Sequence, residues 1–275
     1  MQWVHVVLLG ILEGITEFLP VSSTGHLILA EKLLALPPSP FLTSFTIAIQ
    51  CGAILAVLAL YGRTLLVSRT LFLRLFAAFL PTALCGTILY GIVKTIFLQS
   101  TAIVLASMLA GGVVLLLFEL FLLPKTSQPL TPTLSRRERE LLSPLDTITY
   151  RQAFGIGLLQ SFSMIPGVSR SAASIIGGLA LGLPRRAAVE FSFLLAVPTM
   201  IAATSLDLAK SGAAFTGNEW TLLGVGAAAS FLAALAAIRW LLYFLQHHTF
   251  IPFAMYRILA APVFWFLIFS SRLAP

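Results

Sequence analysis

Glu13-Gly-Ile-Thr-Glu-Phe-Leu-Pro-Val-Ser-Ser-Thr-Gly-His26 sets two carboxylates, a run of three hydroxyls and an imidazole inside an almost continuously apolar chain. The pattern predicts a helix over residues 2–18, stopped by Pro20, and a second helical run over 24–36, stopped by Pro37-Pro38. A membrane span needs about 20 predominantly apolar residues, and neither run reaches that comfortably. The pair therefore reads as a re-entrant hairpin. Non-helical backbone at membrane depth survives only where protein or a water-filled cavity covers it, so the turn over 20–25 is expected to face a cavity.

The rest of the composition agrees with a membrane setting. The 275 residues are 59% hydrophobic and 10% charged, with a mean hydropathy of +0.99, whereas soluble domains carry about 25% charged residues. The fold class is all-α and polytopic. A net charge of +7 raises the question of a nucleic-acid partner, but the Lys and Arg cluster in short interhelical loops, as the positive-inside bias predicts. Cys51 and Cys85 lie in apolar stretches without metal-ligand spacing and read as packing residues. The N-terminal apolar run has no basic leader or small-residue cleavage site and reads as part of the fold.

Further spans are expected over 41–61, 71–93 and 101–123, with Pro81 and Gly86 as kink points in the second. A polar, charged loop over 124–150, containing Lys125 and the Arg136 cluster, joins two halves of one integral-membrane domain, about 1–123 and 151–272. The second half repeats the plan: helical runs over 152–164 and 169–183 around Pro166-Gly167, then spans over 187–208, 220–242 and 250–269. Gly10-Ile-Leu-Glu13 aligns with Gly157-Leu-Leu-Gln160, and Val21-Ser22 with Val168-Ser169. Six spans and two re-entrant hairpins then form an inverted-topology repeat, whose site is expected where the two breaks converge. Counting basic residues places the 124–150 loop in the cytoplasm and both termini outside.

The residues that carry chemistry sit at the two breaks. Glu13 and Glu17, four apart, share a helix face about 5–6 Å apart at Cβ and can hold one divalent cation, Mg²⁺ or Ca²⁺, or move a proton. Ser22, Ser23 and Thr24 open the next helix, where hydroxyls serve as N-caps and free amides attract phosphate. His26 is spaced to address the same ligand as Ser23. The second island, Gln160-Ser-Phe-Ser-Met-Ile-Pro-Gly-Val-Ser-Arg-Ser-Ala-Ala-Ser174, centres on Arg170, whose anionic partner is either a substrate phosphate or Glu13 or Glu17 across the repeat. Gln50, Glu190, Asp207, Glu219, Arg239 and Arg257 lie near or within helix ends, where snorkelling explains most of them; Gln50 and Glu190 are the ones expected nearest the site. His247-His248 reads as interfacial.

The stretch from Glu13 to His26 together with Pro166-Gly-Val-Ser-Arg-Ser171 resembles the two signatures of the undecaprenyl-diphosphate phosphatases, also called bacitracin-resistance proteins. The resemblance extends to 45–54, 146–160 and 190–198 and leaves 126–143 unplaced. It implies a membrane phosphatase that returns undecaprenyl diphosphate to the monophosphate carrier lipid of peptidoglycan synthesis, in the bacterial cytoplasmic membrane, with a metal-dependent site facing the periplasm. Carried over by position, Glu13 and Glu17 organise the metal, Ser23 and His26 take part in attack and proton transfer, and Arg170 holds the diphosphate. Ser22, Thr24, Gly25, Gly167, Ser169, Ser171 and Ser174 complete the phosphate-binding set. Ala172 stands where the family usually has Gly, and Ser174 where it usually has Thr.

The expected mechanism has Ser23 attacking the terminal phosphorus with His26 as base or as acid for the leaving group; His26 as nucleophile, with Ser23 positioning, is the variant. The expected partners are the polyprenyl diphosphate and surrounding lipid, with a homodimer open and no nucleic acid. A lipid-phosphate transporter or flippase is the main alternative, since inverted repeats with broken helices are a transporter architecture. A second alternative, the other membrane lipid-phosphatase superfamily, lacks support because no histidine follows Arg170 at suitable spacing.

Overall fold

Prolines and hydroxyl residues cut this chain into helices, and the computed structural model, which describes residues 1–92, 100–122, 144–211 and 215–270, shows where each cut falls. Helix α1 (Trp3–Thr16) stops ahead of Pro20, and α2 (Ser23–Leu33) starts beyond it. Ser39 accepts a hydrogen bond from the Leu42 amide, and Pro40 occupies the first turn of α3 (Pro40–Ala48), which runs through a break at Ile49 into α4 (Gln50–Val67). Next come α5 (Arg69–Ile92) and α6 (Thr101–Leu117), the latter capped by Ser100 and prolonged by a π-helical turn, Phe118–Leu122. A 3₁₀ turn, Pro144–Thr147, leads into α7 (Tyr150–Gln160), opened by a reciprocal Thr149–Gln152 capping box. A second 3₁₀ turn, Ser161–Met164, precedes α8 (Arg170–Ala180). The chain continues through α9 (Arg185–Ser211), α10 (Gly217–Phe244), with a Thr216–Glu219 capping box, and α11 (Ile251–Ser270).

Among the described residues all regular structure is helical. Six helices among the described residues are long and apolar enough to cross a membrane: Pro40–Val67, Arg69–Leu89, Thr101–Phe121, Arg185–Ala209, Gly217–Phe244 and Ile251–Phe269. The protein is a multi-pass membrane protein. These spans agree with those read from the sequence to within a few residues, with one difference. The first is broken at Ile49, where the Gly52 amide bonds the Ile49 carbonyl at 3.0 Å in a tight i→i+3 turn that no proline announces. At 14, 11, 11 and 11 residues, α1, α2, α7 and α8 are all too short to span. Lys125 and the Arg136 cluster lie outside the described residues.

Two of the short helices lie against spans of the opposite half, α1 chiefly against α10 and α7 against α5, while α8 lies against α7 and α9 of its own half. A Cβ on Gly10 would run into the Gly226 carbonyl, one on Gly14 into the Ser230 carbonyl, and one on Gly157 into the Ala78 carbonyl. Gly10 and Gly157 are aligned positions of the two halves, so matching helices use the same device. Close backbone approach through small residues is how helices associate in lipid, where burying a larger apolar side chain gains little. The largest core cluster likewise draws on both halves, Phe18 and Val57 meeting Ile175 and Phe193, with the Phe18 and Phe193 rings edge-on at 5.2 Å.

Replacing Gly157 with Val is expected to lower stability by about 1–3 kcal/mol through overpacking against α5. Gly62→Ala, where nothing lies within 4 Å, is expected to leave stability unchanged or raise it by up to about 1 kcal/mol. Thermal unfolding in detergent compares the two, and equal melting temperatures would overturn this account of the contact.

Candidate active site

The two breaks meet. Ser171 Oγ on α8 donates to the Leu19 carbonyl at 2.8 Å, tying one break to the other. Arg257, on α11, is fully buried and reaches both: Nη1 donates to the Pro20 carbonyl at 3.3 Å and Nη2 to the Gly167 carbonyl at 2.9 Å. Its remaining bonds go to the α6 carbonyls of Met108, at 3.0 Å, and Ser107, at 3.4 Å. Gly111 and Gly112 make room, since a Cβ on either would collide with the Arg257 side chain. Gly167 adopts φ 96°, a conformation open to glycine, and its own Cβ position is taken by the Val104 carbonyl. Arg257 thus departs from the snorkelling expected for helix-end charges. Its depth is set by carbonyls that the two breaks leave without helical partners.

Beside this junction lies a cavity of about 220 Å³, lined from the first break by Glu17, Ser22, Ser23 and Thr24, and from the second by Gly167, Ser169 and Arg170. Glu17 organises it. Ser23 Oγ donates to Glu17 Oε2 at 2.6 Å, and Arg170 Nε and Nη2 both reach Glu17 Oε1 at 3.4 Å. The Arg170 Nη1 donates to the Ser192 carbonyl at 2.8 Å, and its guanidinium carbon stands 5.9 Å from the centre of the Phe18 ring. A serine hydroxyl, a carboxylate and a guanidinium therefore form one connected chain in a largely buried setting. Such a hydroxyl is a candidate nucleophile with its proton acceptor already in place.

The other residues singled out from the sequence fall around the cavity in different ways. Ser174 and Ser171 are buried and do not line it; Ser174 Oγ bonds Ser192 Oγ at 2.7 Å, holding α8 to α9. Gly25 lies against Met108 and Val104 of α6. His26 is not brought to the Ser23 hydroxyl: its Nδ1 is 2.8 Å from the Ser22 carbonyl and its Nε2 is 2.6 Å from the Tyr256 hydroxyl. Gln50 lines the cavity as expected, whereas Glu190 pairs with Arg186 at 2.9 Å. The sequence reading did not identify Thr82, Thr199, Tyr256 or Ser192. Gln160 was visible as the repeat counterpart of Glu13; its amide nitrogen donates to Thr82 Oγ1 at 3.2 Å on the cavity wall.

The profile of the family described as "Bacitracin resistance protein BacA" matches residues 6–263. The chain belongs to that family. Among BacA-family relatives, the Aquifex aeolicus protein named undecaprenyl-diphosphatase is 42% identical over 263 residues, covering 96% of this chain and 97% of the relative. Proteins of the same name from Campylobacter hominis, at 45% over 270 residues (98% and 100% covered), and Thermus thermophilus, at 44% over 265 residues (95% and 96%), are similar throughout.

Among the described residues no three His, Cys, Asp or Glu converge. Glu13, however, is fully buried with both carboxylate oxygens lacking a hydrogen-bond partner, and it stands one helical turn from Glu17. A buried carboxylate without a partner demands a proton or a cation. One or two carboxylates completed by water and substrate phosphate is the usual Mg²⁺ arrangement; Glu13 and Glu17 are the candidate pair, of which Glu17 lines the cavity and Glu13 does not.

Arg257→Met is expected to cost at least about 3 kcal/mol, because four carbonyls lose bonds to a charged donor. Arg257→Lys is expected to recover only part of that, since an ammonium cannot reproduce the planar fork. Thermal unfolding measures both, and a methionine variant as stable as the parent would contradict the junction described.

Proposed function

We propose that this chain hydrolyses undecaprenyl diphosphate to undecaprenyl phosphate and inorganic phosphate, recycling a carrier lipid for peptidoglycan assembly. The observation that carries the reading is the Ser23 hydroxyl hydrogen-bonded at 2.6 Å to Glu17, whose other oxygen faces Arg170. The name shared by its relatives supports the same substrate class. In this reading Arg170 binds the terminal phosphate, and Ser22, Thr24, Ser169 and the backbone at Gly167 line its seat. Ser23 Oγ attacks the terminal phosphorus, its proton passes to Glu17, and the anhydride bond breaks to release the lipid monophosphate. Glu17 passes that proton to the departing lipid phosphate; water then cleaves the phosphoserine, its proton relayed through Glu17 to Ser23 Oγ, and phosphate leaves with Ser23 restored. A divalent cation, Mg²⁺ or Ca²⁺, held by Glu13 and Glu17 would supply charge neutralisation of the diphosphate when bound.

The geometry favours Glu17 over His26 as the acceptor of the Ser23 proton, because that hydroxyl already donates to Glu17. Ser171, Ser174 and Gly25 act in this reading through the backbone of the two breaks rather than by touching phosphate.

We read the two helix–break–helix units as re-entrant hairpins of an inverted repeat, in a single domain within the bacterial cytoplasmic membrane, with the cavity open to the periplasm and both termini outside. Ser22 and Ser169, aligned positions, both take left-handed backbone, φ 72° and 76°, which supports the repeat. Arg63 in the last turns of α4, and Arg69 and Arg74 in the first turns of α5, then face the cytoplasm.

Purified protein is expected to release phosphate from a polyprenyl diphosphate, to lose that activity with a chelator and to regain it with Mg²⁺ or Ca²⁺. Ser23→Ala and Arg170→Ala are each expected to lower turnover by about 10²-fold or more; unchanged turnover in Arg170→Ala would remove the role given to it. For orientation, Arg69→Cys in a background lacking Cys51 and Cys85 is expected to resist impermeant thiol reagents in intact cells. Labelling there would reverse the proposed topology.

A further inference from the structure

His26 sits beside the cavity but turns away from it. A carbonyl oxygen only accepts, so the 2.8 Å contact with Ser22 requires the ring proton on Nδ1, and the unprotonated Nε2 then accepts from the Tyr256 hydroxyl at 2.6 Å. The two rings lie nearly parallel, centroids 5.5 Å apart, and Phe264 closes the imidazole edge-on at 5.4 Å. Both ring nitrogens are satisfied within the protein, and the Ser23 proton goes elsewhere, to Glu17.

The Ser22 carbonyl has reason to need such a donor. Ser22 takes φ 72° and ψ 89°, a left-handed conformation that costs a side-chain-bearing residue about 1–3 kcal/mol and persists only where neighbours impose it. The aligned residue Ser169, φ 76°, secures its own break by accepting the Ala172 amide on its hydroxyl at 3.2 Å. Ser22 makes no such side-chain cap, although both serines line the cavity. At the position four residues on, where the second unit has Ala173, the first has His26. The imidazole bonds the Ser22 carbonyl, which also takes the His26 backbone amide at 3.4 Å. That carbonyl shares a rigid peptide plane with the Ser23 nitrogen, so holding it sets the direction in which the Ser23 side chain leaves the backbone.

We propose that His26 and Tyr256 form a positioning pair: the His26 Nδ1–H pins the Ser22–Ser23 peptide plane so that the Ser23 hydroxyl meets Glu17, and the Tyr256 hydroxyl holds the imidazole in the tautomer that can do so. Tyr256 thereby acts on the reaction through His26 without touching substrate. The kinetic consequences rest on the phosphatase reading; the tautomer does not.

The test uses full-length protein in detergent with a polyprenyl diphosphate. In His26→Asn the amide N–H stands where Nδ1–H stood, and turnover is expected within about tenfold of the parent, the loss of one neutral hydrogen bond. His26→Gln and His26→Ala cannot reach the Ser22 carbonyl from that position and are expected to fall about 10²-fold, as for a misplaced reacting group. Tyr256→Phe keeps the ring and loses the hydroxyl, so kcat is expected to drop about 3- to 10-fold with KM unchanged. A folded His26→Asn as inactive as His26→Ala would overturn the proposal and return His26 to acid, base or nucleophile. Independently of turnover, nitrogen NMR of the parent, which has four histidines, is expected to show a His26 pyrrole-type Nδ1 and a pyridine-type Nε2 that shifts in Tyr256→Phe. An Nε2-protonated ring would sink the proposal. A parent that releases no phosphate would sink the phosphatase reading and leave the NMR result to decide the positioning pair.

Discussion

The Arg257 guanidinium donates to four backbone carbonyls, two on α6 and one at each break, and among the described residues no carboxylate forms an ion pair with it. Charge buried in this way is tolerated because four carbonyl dipoles, two of them at the breaks and two on α6, take its N–H bonds. The breaks in turn are tolerated because something satisfies those carbonyls. Neither the proline-broken turn at Pro20 nor the glycine turn at Gly167 would persist at depth without the other and without α6 and α11 closing over both. The cavity exists because of that mutual requirement.

Around the junction the two units contribute opposite chemistry at matching places. Helix α2 begins at Ser23 and α8 at Arg170, aligned first positions after aligned left-handed serines. One position supplies a hydroxyl and the other a cation, and Glu17 joins them. Glu13, buried without a partner, has Gln160 as its counterpart, whose neutral amide settles against Thr82. An amide at that place in one unit carries no charge, so the ionisable group at this aligned position is confined to the other unit, one helical turn from Glu17. In the proposed reaction that asymmetry decides which side holds a cation and which side holds phosphate.

The means of holding each break differ as well. Ser169 caps its helix with its hydroxyl; Ser22 makes no side-chain cap and is held through its carbonyl. Small residues do the rest, with Gly10, Gly14 and Gly157 letting short helices approach spans of the other half closely enough for their ends to stay in register.

Much of this was legible from residue order. Apolar length and proline punctuation predict six spans and four short helices, because in lipid a helix must be long enough or be covered. Polar residues in so apolar a chain single out Glu17, Ser23 and Arg170, because each requires a partner at that depth. What residue order could not say is which partner each one takes. Arg257 looked like a helix-end charge, and only the convergence of α6, α11 and both breaks shows it as their common donor. His26 lies three residues from Ser23 in sequence, yet its ring nitrogens are directed by the Ser22 carbonyl and by Tyr256, 230 residues away. Periodicity and punctuation are local properties of the chain and can be read along it, whereas the direction of a buried donor depends on acceptors that only the folded chain brings within 3 Å or so.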